Sequence, residues 1–510
     1  MITNSLPKFS RVAAFVVGAR LLSAVALQAA PSVDDLASLT LAEAAAQIRA
    51  GQVTSVQLTE ACLARIETYD PKLDAFITVM KSQALAQAKA LDAEAKAGKF
   101  RGPLHGVPLA LKDNVDTANA RTTGGSALFA DRIPAEDATV TARLVGAGAV
   151  IIGKTNLQEF AMGGGETSYY GPSRNPWNLA HNTGGSSSGS GAAVSAFLAY
   201  GAIGTDTGGS IRMPASYSGI VGLKPTYGLV PIRGIIPLRV SMDHAGPMTR
   251  TVEDAAVMLN ALAGYDKLDI TSVEHPREDY VAGMKQPVNG FKLGLPVGYF
   301  DHLDPEVKAA VAAAIEVLNK LTAGSAEMSL PPAVRPLAGA AETLAWHEDY
   351  VKASPNLYMI PERRRLEALA KENGGTAVDY VKGMWENQLL RRTVDDAFTK
   401  AGVDLVVMPT QRILPPLLDD LIKRAYDTKP IDPWVTSNCS PFNIFGLPAI
   451  SIPCGFSKSG LPIGLQIAGP RFSEAKILAL AAAYEKATEW HKRKPPLTPE
   501  TPKPPVAKGI

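Results

Sequence analysis

Two short segments crowd glycine together with hydroxyls: TGGSSSGS at 183–190 and TDTGGSIRMP at 205–214. Glycine reaches backbone angles closed to other residues and lets main-chain N–H groups face a ligand unobstructed. Three chemistries use segments of this kind. A phosphate-binding loop needs the Lys-Ser/Thr ending of the Walker pattern, or G-x-G-x-x-G directly after a strand, and the chain has neither at these places. A nucleophile elbow is matched in letter by Gly185-Ser186-Ser187-Ser188-Gly189. It requires an apolar strand just before it, and NLAHNT is not one. It also requires a histidine; of the seven present, His244 in SMDHAGP is the most suggestive, yet nothing else marks it. The third chemistry is a serine hydrolase that works without histidine.

These loops need regular structure to hold them. Thr40 and Gly51 bracket a short helix in LAEAAAQIRA, Ser55 opens a second helix through Tyr69, and a third runs from about Lys81 to Ala97. GVPLALKDN (106–114) reads as a buried strand leaving into a loop, and ATVTARLVGAG is a helix feeding the strand AVIIGKTN (149–156). An Ala-rich helix starts near Ser188 and runs to Tyr200, leading into AIGTDTGGS. Further on, helices at 251–264, 304–321 and 473–487 alternate with strands at 291–298, 404–410, 449–455 and 462–469. This alternation predicts an α/β protein, a sheet covered by helices on both faces. The stretch 335–400 carries helical pattern without strand signal and reads as a cap or subdomain. Its basic run ERRR (362–365) reads as a solvated helix face.

Composition narrows the function classes. Lys+Arg 51 against Asp+Glu 49 leaves a net charge of +2 in 510 residues, too balanced for a nucleic-acid or anionic-membrane binder. Cys62, Cys439 and Cys454 give neither a disulfide framework nor zinc spacing; Cys454 reads as a buried strand residue. Lys8 and Arg11 precede an apolar stretch from Val12 to Ala30, with Ala24 and Ala26 at A-x-A spacing. That pattern makes residues 1–30 a candidate signal peptide, with the mature chain starting between about residues 24 and 35, although Arg20 opposes it. Export to the periplasm or beyond follows if the signal is real, and a cytoplasmic location otherwise. Residues 31–494 then form the main domain, and 495–510 a proline-rich, extended and poorly packed tail.

The stretch GGSSSGSGAAVSAFLAYGAIGTDTGGSIRMPASYSGIVGLKPTYG (184–228) resembles the signature of the amidase signature family. GVPLALKDN resembles that family's lysine segment, and FNIFGLPAISIPCG with GLPIGLQIAGP its carboxy-terminal signature. The resemblance spans roughly residues 36–490. It implies the amidase signature fold, a central mixed sheet sandwiched between helix layers. It also implies hydrolysis of a carboxylic amide to acid and amine or ammonia, with no cofactor and no metal. The family's catalytic lysine falls on Lys112, its serine after a cis peptide bond on Ser186, and its nucleophile on Ser210. The oxyanion hole falls on the N–H groups of Thr207, Gly208, Gly209 and Ser210, and a substrate-lining loop on Ala161, Met162 and Gly163.

Physical chemistry supports these roles. A serine hydroxyl is a poor nucleophile until a base takes its proton. Lysine is a base only when neutral, so its ordinary pKa of about 10.4 must fall by several units. Lys112 follows the apolar run VPLAL, and burial disfavours the ammonium form. Taken alone it reads as a surface lysine; with both serine segments present it reads as the base. Ser186 accepts from one partner and donates to another, as a hydroxyl can. Asp206 and Arg212 are expected to hold the nucleophile loop, by charged hydrogen bonds or else as an exposed ion pair, and Ser187 is expected to bond near Lys112. Ser188 and Ser190 read as helix-start residues, and Asn175-Pro176-Trp177 as structural.

Two rivals stand beside a self-sufficient amidase. One is the glutaminase (A-type) subunit of a tRNA-dependent amidotransferase, cytoplasmic and working with partner chains. The other is a non-catalytic amide-binding protein on the same fold, which is expected to lack Lys112 or a serine. The expected partner is a small-molecule amide substrate, with no nucleic acid and no membrane span in the mature chain; a homodimer stays open.

Overall fold

An unbroken apolar run ending in lysine becomes β2 (Pro108–Lys112), every residue of it buried. Such runs suit parallel strands covered on both faces. The computed structural model describes residue 1 and residues 32–333, 338–371, 376–427 and 437–505, so the candidate signal peptide lies outside the described residues. β2 lies between β3 (Val150–Thr155) and β6 (Gly201–Thr205), parallel to both, with Leu111 opposite Lys154 and Ile203. The other strands are β1 (Phe76–Val79), β7 (Val221–Lys224), β8 (Ala245–Thr249), β9 (Leu293–Pro296), β10 (Ser325–Met328), β11 (Leu405–Pro409), β12 (Ala449–Phe456) and β13 (Pro462–Ala468). Together they make an 11-stranded sheet in the order β1-β3-β2-β6-β8-β7-β12-β13-β11-β9-β10. A separate hairpin joins β4 (Arg174–Asn175) to β5 (Asn178–Asn182). The sheet is mixed, because β8 runs antiparallel to both β6 and β7 in its centre.

The expected α/β class and mixed sheet are present; the short strands β1, β7 and β10 and the β4–β5 hairpin come in addition, and two further differences concern β8 and the helix at Ser188. β8 has the sequence AGPMT, whose glycine and proline conceal a fully buried central strand. The helix expected from Ser188 to Tyr200 ends at Ser195. Phe197 turns left-handed (φ 60), and Arg65 donates to the carbonyls of Ala196 (2.9 Å) and Phe197 (3.1 Å), occupying oxygens that a longer helix would have used. The short helix SGSGAAVS is buried throughout. A Cβ at Gly189 would lie 2.3 Å from Ala75 O and 2.4 Å from Asn156 N, so only glycine permits this approach.

The helical middle consists of Ala338–Ala353, Ile360–Lys371 and Ala377–Ala401, as its pattern predicts. Over its described residues, 495–505, the tail is extended but held to the body. Lys72 donates to the carbonyls of Pro499 and Thr501, and Lys503 pairs with Asp74 at 2.6 Å. No helix among the described residues is long and apolar enough to cross a membrane.

Candidate active site

Lys112 is the last residue of β2 and is completely buried. Its Nζ donates to Ser186 Oγ and to Thr205 Oγ1, both at 2.7 Å. Asn114 Nδ2 donates to the same threonine oxygen at 3.2 Å. Burial lowers the Lys112 pKa to about 7, while the charges of Asp206 and Asp243 act in the opposite sense. A substantial fraction of this lysine is therefore the free amine near neutral pH, and a free amine is a base. Lys112 and Thr205 meet because β2 and β6 are parallel neighbours and both residues stand at the carboxyl ends.

The peptide bond Gly185–Ser186 is cis. Ser186 is buried, and its carbonyl accepts from Gln158 N at 3.1 Å. Ser187 N donates to the Ser210 carbonyl at 3.3 Å, which ties the first serine segment to the second. The Ser187 hydroxyl accepts from Thr205 N and donates to Thr205 O, 3.2 Å each, so it fixes the residue that receives Lys112 rather than bonding Lys112 itself. Ser188 opens the buried helix, and Ser190 donates to Ile203 O at 3.0 Å.

Asp206 and Arg212 form a fully buried pair at 3.0 Å, which excludes the exposed alternative. Asp206 Oδ1 accepts from Gly209 N (2.7 Å), Arg212 Nη2 (3.0 Å) and Asn443 Nδ2 (2.8 Å). Its Oδ2 accepts from Ile211 N (3.1 Å) and Arg212 Nε (3.0 Å). Burial by itself would raise the Asp206 pKa, but the Arg212 guanidinium holds it well below the usual carboxylate range. Arg212 also donates to Cys439 O (2.9 Å), Gln466 Oε1 (2.7 Å) and Asn443 Oδ1 (2.6 Å). This network corrects one expectation. The Gly209 N–H is engaged by Asp206, so it is not free to bind an oxyanion. The N–H groups of Thr207, Gly208 and Ser210 have no partner among the described residues. Gly209 itself has φ +131, and a Cβ there would lie 2.8 Å from Cys439 Cβ, so the position demands glycine. Ser210 is half-buried, and its hydroxyl makes no hydrogen bond among the described residues.

His244 bonds none of the three. Its Nδ1 faces the carbonyls of Met242 (2.7 Å) and Asp206 (3.1 Å), and burial keeps its pKa far below the ordinary value.

The expected substrate loop lies beside this cluster. Phe160 and Ala161 are left-handed (φ 47 and 60), and Gly165 N and Thr167 N both donate to Gln158 Oε1, at 2.9 and 3.0 Å. Gln158 is also the residue that holds the Ser186 carbonyl, so one residue ties the loop to the serine. The helical cap fastens onto this loop. Glu362 Oε1 accepts from Gln158 Nε2 (2.5 Å) and Thr167 Oγ1 (2.6 Å), Arg365 donates to Met162 O (2.7 Å), and Met359 N to Glu159 Oε2 (2.8 Å). The run 362–365 is thus not a plain solvated face: Arg364 and Arg365 are exposed, but Glu362 is buried. Burial raises the Glu362 pKa to about 8, and the charge of Glu159 adds to this. Thr205, Asn443, Gln158 and Glu362 were not singled out from the sequence. Thr205 and Asn443 do lie inside the quoted signatures, the one available hint.

Among the described residues no three His, Cys, Asp or Glu side chains are grouped so as to hold a metal ion. Activity should therefore survive exhaustive chelation, measured as turnover before and after EDTA or phenanthroline treatment; loss restored by added zinc would contradict this.

The Amidase family model matches residues 57–478. The chain is 42% identical over 492 residues to the A-type subunit of the glutamyl-tRNA(Gln) amidotransferase of Moorella thermoacetica, covering 91% of this chain and 99% of that protein. Identity to the corresponding subunit of Geobacter sp. (strain M21) is 41%, over 91% and 100%. Among solved structures it is similar to the native peptide amidase of Stenotrophomonas maltophilia, with TM-score 0.77 and 33% identity over 90% of this chain and 98% of that one. It is also similar to the A-type glutamyl-tRNA(Gln) amidotransferase subunit of Thermotoga maritima, with TM-score 0.71 and 31% identity over 89% and 95%. With a family match over most of its length and relatives similar from end to end, this chain belongs to the amidase signature family and is an enzyme acting on C–N amide bonds.

Proposed function

We propose that this chain cleaves a primary carboxamide through an acyl-enzyme, with Ser210 as nucleophile, Ser186 as relay and Lys112 as base. We further propose that it does so as the ammonia-releasing A-type subunit of an amidotransferase. The observation that carries the chemistry is the 2.7 Å bond from Ser186 Oγ to a completely buried Lys112 held near neutral pKa. With Lys112 neutral, its amine accepts the Ser186 proton as Ser186 takes that of Ser210, and Ser210 Oγ attacks the amide carbon. The oxygen that gains the negative charge is received by the free N–H groups of Thr207, Gly208 and Ser210; a donor of this kind typically lowers the barrier by about 2.7–4 kcal/mol. The proton returns through Ser186 to the leaving nitrogen, ammonia departs, and an ester to Ser210 remains. Water, deprotonated by the same route, attacks the ester and releases the acid and the serine.

The amidotransferase assignment is supported by the sequence relatives, A-type subunits at 42% and 41% identity over nearly their whole length. It puts the chain in the cytoplasm beside partner chains. A second reading, the self-sufficient amidase, is favoured by backbone likeness: TM-score 0.77 to the peptide amidase against 0.71 to the Thermotoga maritima protein. One experiment separates the two. Purified chain is given glutamine, primary amides, anilides and carbamates, and released ammonia or amine is measured, alone and with the B- and C-type amidotransferase partners added. Glutamine hydrolysis that rises at least about tenfold with the partners, a barrier lower by roughly 1.4 kcal/mol, supports the amidotransferase. Brisk turnover of another amide by the chain alone, without glutaminase activity in either setting, supports the amidase.

A further inference from the structure

Asp243 stands just before β8 and is 7% exposed. Its Oδ1 accepts the Thr207 hydroxyl at 2.5 Å, and its Oδ2 accepts Leu238 N (2.9 Å) and Arg239 N (3.0 Å). Asp206, the other carboxylate acting on Lys112, is neutralised by Arg212 in direct contact; Asp243 is held by one hydroxyl and two main-chain groups. Thr207 is the first residue of the loop whose N–H groups are unpartnered, and its side chain is the handle by which β8 reaches that loop.

We infer that Asp243 is a positioning residue of the reaction, fixing Thr207 through its hydroxyl so that the Thr207 N–H stays aimed at the oxygen that becomes negative. Asp206 binds the N–H groups of Gly209 and Ile211, and its own carbonyl accepts from His244 N (3.1 Å) and Asn443 Nδ2 (2.9 Å), which orients the peptide that carries the Thr207 N–H; Asp243 adds a hold on the Thr207 side chain. The inference rests on the Ser210–Ser186–Lys112 reading above.

The charge of Asp243 supplies a second, independent readout. It favours the protonated form of Lys112, so removing it makes the amine available at lower pH. The titratable and charged groups that Asp243 acts on or is acted on by are Lys112 from β2, Tyr227 from the loop after β7 and Glu342 from helix Ala338–Ala353, while Leu238 N and Arg239 N of its own loop donate to it. Glu342 acts on Asp243 and is unchanged in every variant below, so it shifts no comparison among them.

The test uses the full chain, an amide that the wild type turns over, and the rate at which a fluorophosphonate labels serine. Thr207→Val removes the hydroxyl and keeps the carboxylate. We expect kcat and the labelling rate to fall about 10²-fold, the typical cost of an ångström-scale misplacement, with KM little changed. Thr207→Ser restores the hydroxyl and should recover most of the rate. Asp243→Asn should lower kcat and also move the acid limb of kcat/KM to lower pH. Wild-type kcat in Thr207→Val, or equal losses in Thr207→Val and Thr207→Ser, overturns the inference even if Asp243→Asn fails to fold. Failure of the underlying reading looks different: Lys112→Ala then keeps the wild-type rate, or the fluorophosphonate adduct maps away from Ser210.

Discussion

Ser210→Ala should abolish turnover of every amide and all fluorophosphonate labelling, whereas Lys112→Ala should leave a trace of activity that climbs with pH. The first variant removes the attacking atom, so no ester to the enzyme can form. The second keeps the atom and removes its base, and general-base assistance contributes typically about 10²–10⁴-fold. Hydroxide then substitutes for the missing amine, so the residual rate of Lys112→Ala continues to rise at alkaline pH. In the wild type the required form is neutral Lys112, and the lysine pKa is lowered by burial to about 7. The wild-type rate should accordingly rise as pH passes through that value and level off above it. Ser186→Ala, which cuts the 2.7 Å link, should lose activity on the scale of Lys112→Ala. The double variant should lose far less than the product of the two, because the residues act as one unit. Rate profiles across pH and mass mapping of the adduct decide the matter. An adduct on Ser187 or Ser188, or His244→Ala as damaging as Lys112→Ala, would remove the assignment.

Arg212→Met is expected to destabilise the fold by about 3–5 kcal/mol, the usual cost of stranding one member of a buried ion pair. Arg212 is entirely buried, and besides Asp206 it satisfies Cys439 O, Gln466 Oε1 and Asn443 Oδ1. Its removal leaves a buried carboxylate without its cation and takes away the donor to Gln466 Oε1 and Asn443 Oδ1. Asp206→Asn combined with Arg212→Met should be less destabilised than the sum of the singles, since the stranded charge is gone. Urea unfolding of the three variants, followed by tryptophan fluorescence, measures this. A loss below about 1 kcal/mol in Arg212→Met would place the pair in the class of weakly contributing surface bridges instead.

Much of this enzyme is legible in the order of its residues. Apolar runs bounded by glycine and proline mark β2, β3, β11, β12 and β13 within a residue or two of their observed ends. The three blocks around Lys112, Ser186–Ser210 and the carboxy-terminal signature carry the family resemblance. β8 was hidden, because a central strand of Ala, Gly, Pro, Met and Thr has neither alternation nor β-branched bulk to announce it.

The support of the site was decided only by tertiary structure. Thr205 receives Lys112 because β2 and β6 pair in parallel and end together. Asn443 clamps Asp206, and Glu362 clamps Gln158, across hundreds of residues of chain. Asp243 holds Thr207 from the turn that leads into β8. Chain order determined which residues could do chemistry, since a nucleophile and a base are properties of side-chain type. It did not determine which hydroxyls, amides and carboxyls would hold them, because a hydrogen-bond partner is chosen by distance and direction in the folded chain and leaves no period in the sequence.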